Sequence, residues 1–186
     1  MAAPSGKLVD KINIKSDGDV FHELFREKPH QISGICPDKI QTCDLHEGEW
    51  GKVGSIIVWN YFHEVDRGLS PACHTGVCLH ELFYCYYDVR TLRALACVDG
   101  KERVAKEIIE AIDEANKSVT FKVIEGDLME HYKEIKLTVH VDTKGEDNLV
   151  TWTIEYEKVK DDVADPHTLM EFCLHVTKDI ETHHLT

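Results

Sequence analysis

The stretch PACHTGVCLHELFYCYY, residues 71–87, places Cys73, His74, Cys78, His80 and Cys85 in one short window. Thiolates and imidazoles are the ligands zinc takes, and a structural zinc needs four of them converging tetrahedrally, usually from paired C-x2–4-C knuckles. Cys73 and Cys78 make one pair at the wide edge of that range, and Cys85 and Cys97 make no second. No metal site is expected. Two HELF strings, at 22–25 and 80–83, begin like the zinc-protease motif H-E-x-x-H, but Arg26 and Tyr84 stand where the second histidine must be. The loop Gly48-Glu49-Trp50-Gly51-Lys52-Val53-Gly54-Ser55 has the look of a phosphate cradle without its spacing, and it leads into a β-rich run rather than a helix N-terminus that could hold an anion. A glycine-shaped hairpin is the expected structure. No nucleophile, base and orienting group can be read from spacing, so no catalytic residue and no cofactor are assigned.

Composition narrows the partners. The chain has 186 residues, 42% of them hydrophobic, enough for one globular domain with a sizeable core. A net charge of −13, with no basic run, argues against tracking a nucleic-acid backbone or an anionic membrane surface. There is neither an apolar leader core nor a run approaching the ~18 apolar residues of a membrane span, so the expectation is a soluble, cytoplasmic monomer whose partner is a neutral or apolar small molecule. The seven cysteines lack disulfide spacing and are expected to be mostly small buried hydrophobes or idle thiols.

One change of composition interrupts this uniformity. Residues 65–98 hold four of the seven Cys, three of the six Tyr and three of the five Arg, but no Lys. Either side is Lys/Glu-rich with regular alternation. The segment therefore reads as an insert in a single domain, a surface excursion between two strands in structural terms. Its foreign composition, and the Val-Asp pair at both 65–66 and 98–99, suggest a translated intron or a mis-joined exon as its origin.

The remaining pattern places the elements. KLVDKINIK alternates Leu8, Ile12 and Ile14 against polar neighbours, as a half-buried strand does. Ser16 and Asp17 can cap a short helix carrying Phe21, Leu24 and Phe25, and a second short helix ends near Pro37. KIQTCDL, SIIVWNYFH, SVTFKVIEG, EIKLTVHVD and NLVTWTIEYEKV read as strands of antiparallel hairpins. RVAKEIIEAIDEAN fits a strand or a helix, because Ile108, Ile109 and Ile112 could share one helical face. At the end of the chain Asp165 as N-cap, Pro166 at the first helical position, and an apolar stripe of Leu169, Phe172, Cys173, Val176 and Ile180 predict a long helix. That stripe must cover something, and an antiparallel sheet with one apolar face gives an α+β domain.

Three strings, PHQISGICPDKIQTCDLHEGEWGKVGSIIVWNYFH, KERVAKEIIEAIDEANKSVTFKVIEGDLMEHYKEIKLTVHV and LVTWTIEYEKVKDDVADPHTLMEFCLHVTKDI, together resemble the plant major latex proteins. These belong to the superfamily of the birch-pollen allergen and the class-10 pathogenesis-related proteins. The likeness covers the chain outside 65–98. It implies a START-like helix-grip fold: a seven-stranded antiparallel sheet wrapped around a long C-terminal helix, two short helices, and a large apolar cavity between them. It also implies that the ambiguous segment is a strand, and that Gly48, Gly51 and Gly54 form the family's glycine-rich loop near the cavity.

Alternation turns Phe121, Val123, Leu137, Val139, Trp152 and Ile154 inward, and Leu169, Met170, Phe172, Cys173 and Val176 supply the helix wall. The resemblance makes this core hollow and these residues its ligand-binding lining. The implied function is non-enzymatic binding or transport of sterols, fatty acids or phenolics in plant defence and stress. The alternative is an enzyme of secondary metabolism using the same cavity, whose catalytic pattern is not matched residue by residue.

Overall fold

In the computed structural model, residues 4–63, 101–144 and 147–185 are described. Strand periodicity follows the sequence closely. In β3 (Ile56–His63) every second residue, Ile57, Trp59, Tyr61 and His63, is buried; in β5 (Ser118–Gly126) Val119, Phe121 and Val123 are. With β1 (Ser5–Ile14), β2 (Ile40–Glu47), β4 (Lys101–Asp113), β6 (Tyr132–Lys144) and β7 (Asp147–Lys158), they form one antiparallel sheet in the order β1-β7-β6-β5-β4-β3-β2. The outer face is laced with Lys–Glu pairs such as Lys136–Glu110 at 2.9 Å and Lys122–Glu134 at 3.0 Å. Each exposed pair adds little stability, but charge at every second position fixes which face of each strand turns to the core.

Helix α1 (Gly18–Arg26) starts where Asp17 accepts a hydrogen bond from the Asp19 amide at 2.8 Å, and it buries Phe21, Leu24 and Phe25. A 3-10 turn (Pro29–Gln31) runs into the one-turn helix α2 (Ile32–Ile35). Helix α3 (His167–Leu185) closes the structure. Its backbone approaches β1 and β7 on one flank of the sheet and β3 on the other. Strands far apart in the sheet order can touch one helix only if the sheet curls around it, so the strands between them stand off from α3.

The tie between sheet and helix is polar. Trp152 Nε1 donates to Thr177 Oγ1 at 2.9 Å, and the Thr177 hydroxyl donates to the Cys173 carbonyl at 2.9 Å; Trp152 and Thr177 are both buried. At the β5–β6 connection, Gly126 has φ +122°, and a Cβ there would lie 2.1 Å from the Val104 carbonyl oxygen. Only glycine fits that close approach. The 3-10 turn that follows (Asp127–Glu130) buries Leu128.

One expectation is met and one needs correcting. Residues 101–113, open between helix and strand on pattern and a strand by the resemblance, form β4. Irregular register at Lys106/Glu107 and Ile109/Ala111 lets a sequence with helical spacing lie in a sheet, with Ile109 buried and Ile108 and Ile112 only half-buried. Asp165 does not cap α3: its carboxylate pairs with Lys158 at 2.7 Å and accepts from the Tyr156 phenol. The first helical bond runs from the Met170 amide to the Pro166 carbonyl, so the helix begins one residue later than Pro166. The Cys/His-rich stretch 71–87 and the excursion at 65–98 lie outside the described residues.

Thr177→Val keeps the shape but leaves the buried Trp152 N–H without an acceptor, a loss of about 1–3 kcal/mol. Chemical denaturation is expected to record that drop, with Thr177→Ser, which retains the hydroxyl, losing less.

Candidate functional site

Where the curled sheet stands off from α3, a cavity of about 80 Å³ remains. Of the residues that alternation turns inward, Phe121, Leu137 and Trp152 line it from the sheet, and Leu169, Phe172, Cys173 and Val176 line it from the helix. Val123, Val139, Ile154 and Met170 are buried but lie in the solid core away from the cavity. Gly48, Gly51 and Gly54 do not line it either. They have φ of +91°, +72° and +91° in the β2–β3 loop, whose Trp50 ring packs on His30 at 4.9 Å.

The cavity is apolar, but it is not large. Drug-sized ligands occupy roughly 300–1,000 Å³, so a large ligand requires the walls to part. The reason is aromatic crowding. Phe25 meets Trp152 edge-on at 5.3 Å, and Phe172 of α3 lies 5.5 Å from the Tyr61 ring and 5.7 Å from that of His63. Parting the walls therefore means moving aromatic side chains that pack on one another.

Sequence pattern missed the polar part of the wall. Glu107 lies in β4 between Ala105 and Ile109, on the inward face, and is 7% exposed. Its Oε2 accepts from Trp59 Nε1 at 2.9 Å. Burial pushes its pKa up to about 7, with the Trp59 hydrogen bond pulling the other way. Tyr61 also lines the cavity, and among the described residues its buried hydroxyl has no hydrogen-bond partner. Burial first, and the nearby Glu107 second, push the Tyr61 phenol and the Cys173 thiol above their ordinary ranges. Cys173 is thus a protonated, inert wall group rather than a nucleophile. The signal for Glu107 was its parity with Ala105 and Ile109, obscured by the neighbouring Lys106 and Glu110.

A second, more polar cavity of about 40 Å³ shares Tyr61, Leu128 and Leu169 with the first. Arg103 and Asp127 line it with their charged groups 3.7 Å apart. Among the described residues, no cluster of His, Cys, Asp and Glu could hold a metal ion, and no helix is long and apolar enough to cross a membrane.

Comparison with known proteins accords with this architecture. Residues 3–67 and 92–186 match the Pathogenesis-related protein Bet v 1 family. MLP-like protein 34 of Arabidopsis thaliana is 40% identical over 99% of this chain, which spans 48% of that relative's length. The crystal structure of major latex-like protein 151 from Panax ginseng superposes with a TM-score of 0.78 at 49% identity, covering 98% of this chain and 99% of that one. Norcoclaurine synthase from Thalictrum flavum, in complex with a transition-state analogue, shares the fold at 14% identity and a TM-score of 0.61, covering 100% of this chain and 99% of that one. The family match and the likeness to major latex proteins of this fold place the chain in the Pathogenesis-related protein Bet v 1 family.

Proposed function

We propose that the chain is a non-enzymatic carrier or sensor of hydrophobic small molecules, such as sterols, fatty acids or phenolics, acting in plant defence or stress. The observation that carries this reading is the apolar cavity between α3 and the sheet, whose wall has very few polar groups. An apolar concavity with a few convergent polar groups is what such a ligand needs. The fill by Phe172 and Tyr61 means that binding is coupled to movement of these side chains.

A second reading is favoured by one specific observation. A buried carboxyl with a pKa near neutrality, in the same cavity wall as a phenol, has the makings of a general acid or base. As an enzyme of secondary metabolism the chain would convert its ligand and lose turnover in Glu107→Gln; as a carrier it returns the ligand unchanged.

Residues 65–98 fit the same reading as an insertion the domain can lose. His63 and Lys101 are directly paired partners of β3 and β4, and removal leaves Glu64, Asp99 and Gly100 between them. Three residues ending in glycine suit a tight hairpin.

Three outcomes are expected. Nile red, an uncharged apolar dye, binds saturably and displaceably to both the full chain and the form lacking 65–98; absence of saturable binding to either would overturn the carrier reading. Ala105→Leu, which grows into the cavity, weakens that binding at least tenfold while leaving the denaturation midpoint unchanged or raised. Glu107 is more readily protonated folded than unfolded, so it destabilises the fold progressively as pH rises from about 4.5 to about 7, and by a constant amount above that. Glu107→Gln is therefore expected to gain up to about 3 kcal/mol over the parent at pH 8 and nothing at pH 4, read by denaturation at the two pH values.

A further inference from the structure

We propose that the second, more polar cavity, where the cross-strand pair Tyr61 and Arg103 meets the first turn of α3, is a carboxylate pocket. It holds the head of an apolar acid whose tail lies in the adjoining apolar cavity. This rests on the carrier reading and narrows it to one ligand chemistry.

Two donors stand side by side there without acceptors. Tyr61 on β3 lies directly opposite Arg103 on β4, and such partners share one face of a sheet with Cβ atoms about 4.5–5.5 Å apart. Both line the second cavity. Tyr61 is 4% exposed, and among the described residues neither its hydroxyl nor the buried Arg103 Nε has a hydrogen-bond partner. Burial raises the Tyr61 pKa most, and the charge of Arg103 beside it pulls the other way. Asp127 does not meet the need: its Oδ1 is 3.7 Å from Arg103 Nη1, outside hydrogen-bond reach, while its Oδ2 accepts from the Val104 amide at 2.9 Å. A guanidinium left in this way presents a planar fork of donors that a carboxylate matches with two parallel, charge-assisted bonds. The Tyr61 hydroxyl supplies a further donor.

Helix α3 adds to the same preference. Pro166 and Thr168 bring its first turn to the cavity. The leading amides of a helix have no carbonyl of their own helix to bond, and they carry the positive end of its dipole, so both effects favour an anion. Polarity then assigns the two ends of the ligand. The two cavities share Tyr61, Leu128 and Leu169. No Lys, Arg or His lines the apolar one, and an acid head placed there would meet Glu107 without a counter-charge. Glu107 does not line the second cavity and lies four residues along β4 from Arg103, about 13 Å at the rise of a strand. Asp127 is the acid in the second cavity's lining and opposes the incoming charge, so neutralising it tightens the site.

The test is displacement of Nile red from the full chain at pH 8 by decanoate, methyl decanoate and 1-decanol, which share one tail. Decanoate is expected to displace the dye at a concentration at least tenfold below either of the others. Arg103→Gln is expected to weaken decanoate at least tenfold and the two neutral compounds less than threefold, with Nile red still bound. Tyr61→Phe is expected to weaken decanoate selectively by a smaller factor. Asp127→Asn, which keeps an acceptor for the Val104 amide, is expected to strengthen decanoate alone. Should Arg103→Gln lose the dye through misfolding, the other two variants decide, and a preference unchanged in both overturns the pocket. Equal displacement by all three compounds on the parent chain, or a preference unchanged in Arg103→Gln, makes the cavity a water-filled recess; the pocket is then overturned and the carrier reading stays intact. No saturable dye binding to the parent chain overturns both.

Discussion

A seven-stranded sheet with one apolar face cannot stand in water uncovered, and the covering of that face by α3 is the constraint on which the rest depends. The hydrophobic effect supplies the drive: Leu169, Val176 and Ile180 are buried along one side of the helix, and the sheet presents Val119, Val150 and Ile154. Burial alone is non-directional. The Trp152–Thr177 hydrogen bond gives the seam a fixed registration, because a slip of the helix along its groove would leave the buried Trp152 N–H without its acceptor. Flank contacts from β1, β7 and β3 then hold the helix off the strands between them.

Polarity is distributed with the same logic. The outer face of the sheet carries paired Lys and Glu, while the inner face admits very few polar groups. Those few are not scattered. Trp59 and Tyr61 sit two apart on one strand, and Glu107 lies on the strand beside it. An inward carboxyl gives up its hydration, and its raised pKa is the physical record of that burial.

How much of this was legible in the sequence depends on the length scale of the signal. Period-two alternation in SVTFKVIEG and SIIVWNYFH, the three-and-four spacing around Leu169 to Ile180, and the Asp17 cap are local, and they appear as read. Segment 101–113 was not resolved by pattern because bulges let residues with helical spacing lie in a sheet. Asp165 shows the converse: a good N-cap by type was claimed by Lys158 and Tyr156, partners no local window contains. For the site, parity correctly turned Phe121 and Val123 inward, yet one borders the void and the other does not. Which inward residues meet a gap depends on the distance between helix and sheet, a tertiary quantity. Glu107 was hidden by charge: in KEIIE it passes for one more solvated residue unless parity is allowed to overrule type.

The stand-off between α3 and the central strands has a mechanical meaning as well. A close-packed interior resists compression almost as a crystal does, and a void is the one part of it that can yield. In this fold the apolar cavity lies along the seam between sheet and helix, with aromatic rings from both in its wall. Hydrostatic pressure acts first on such a volume. The seam between sheet and helix is thus the part of this interior that compresses most readily.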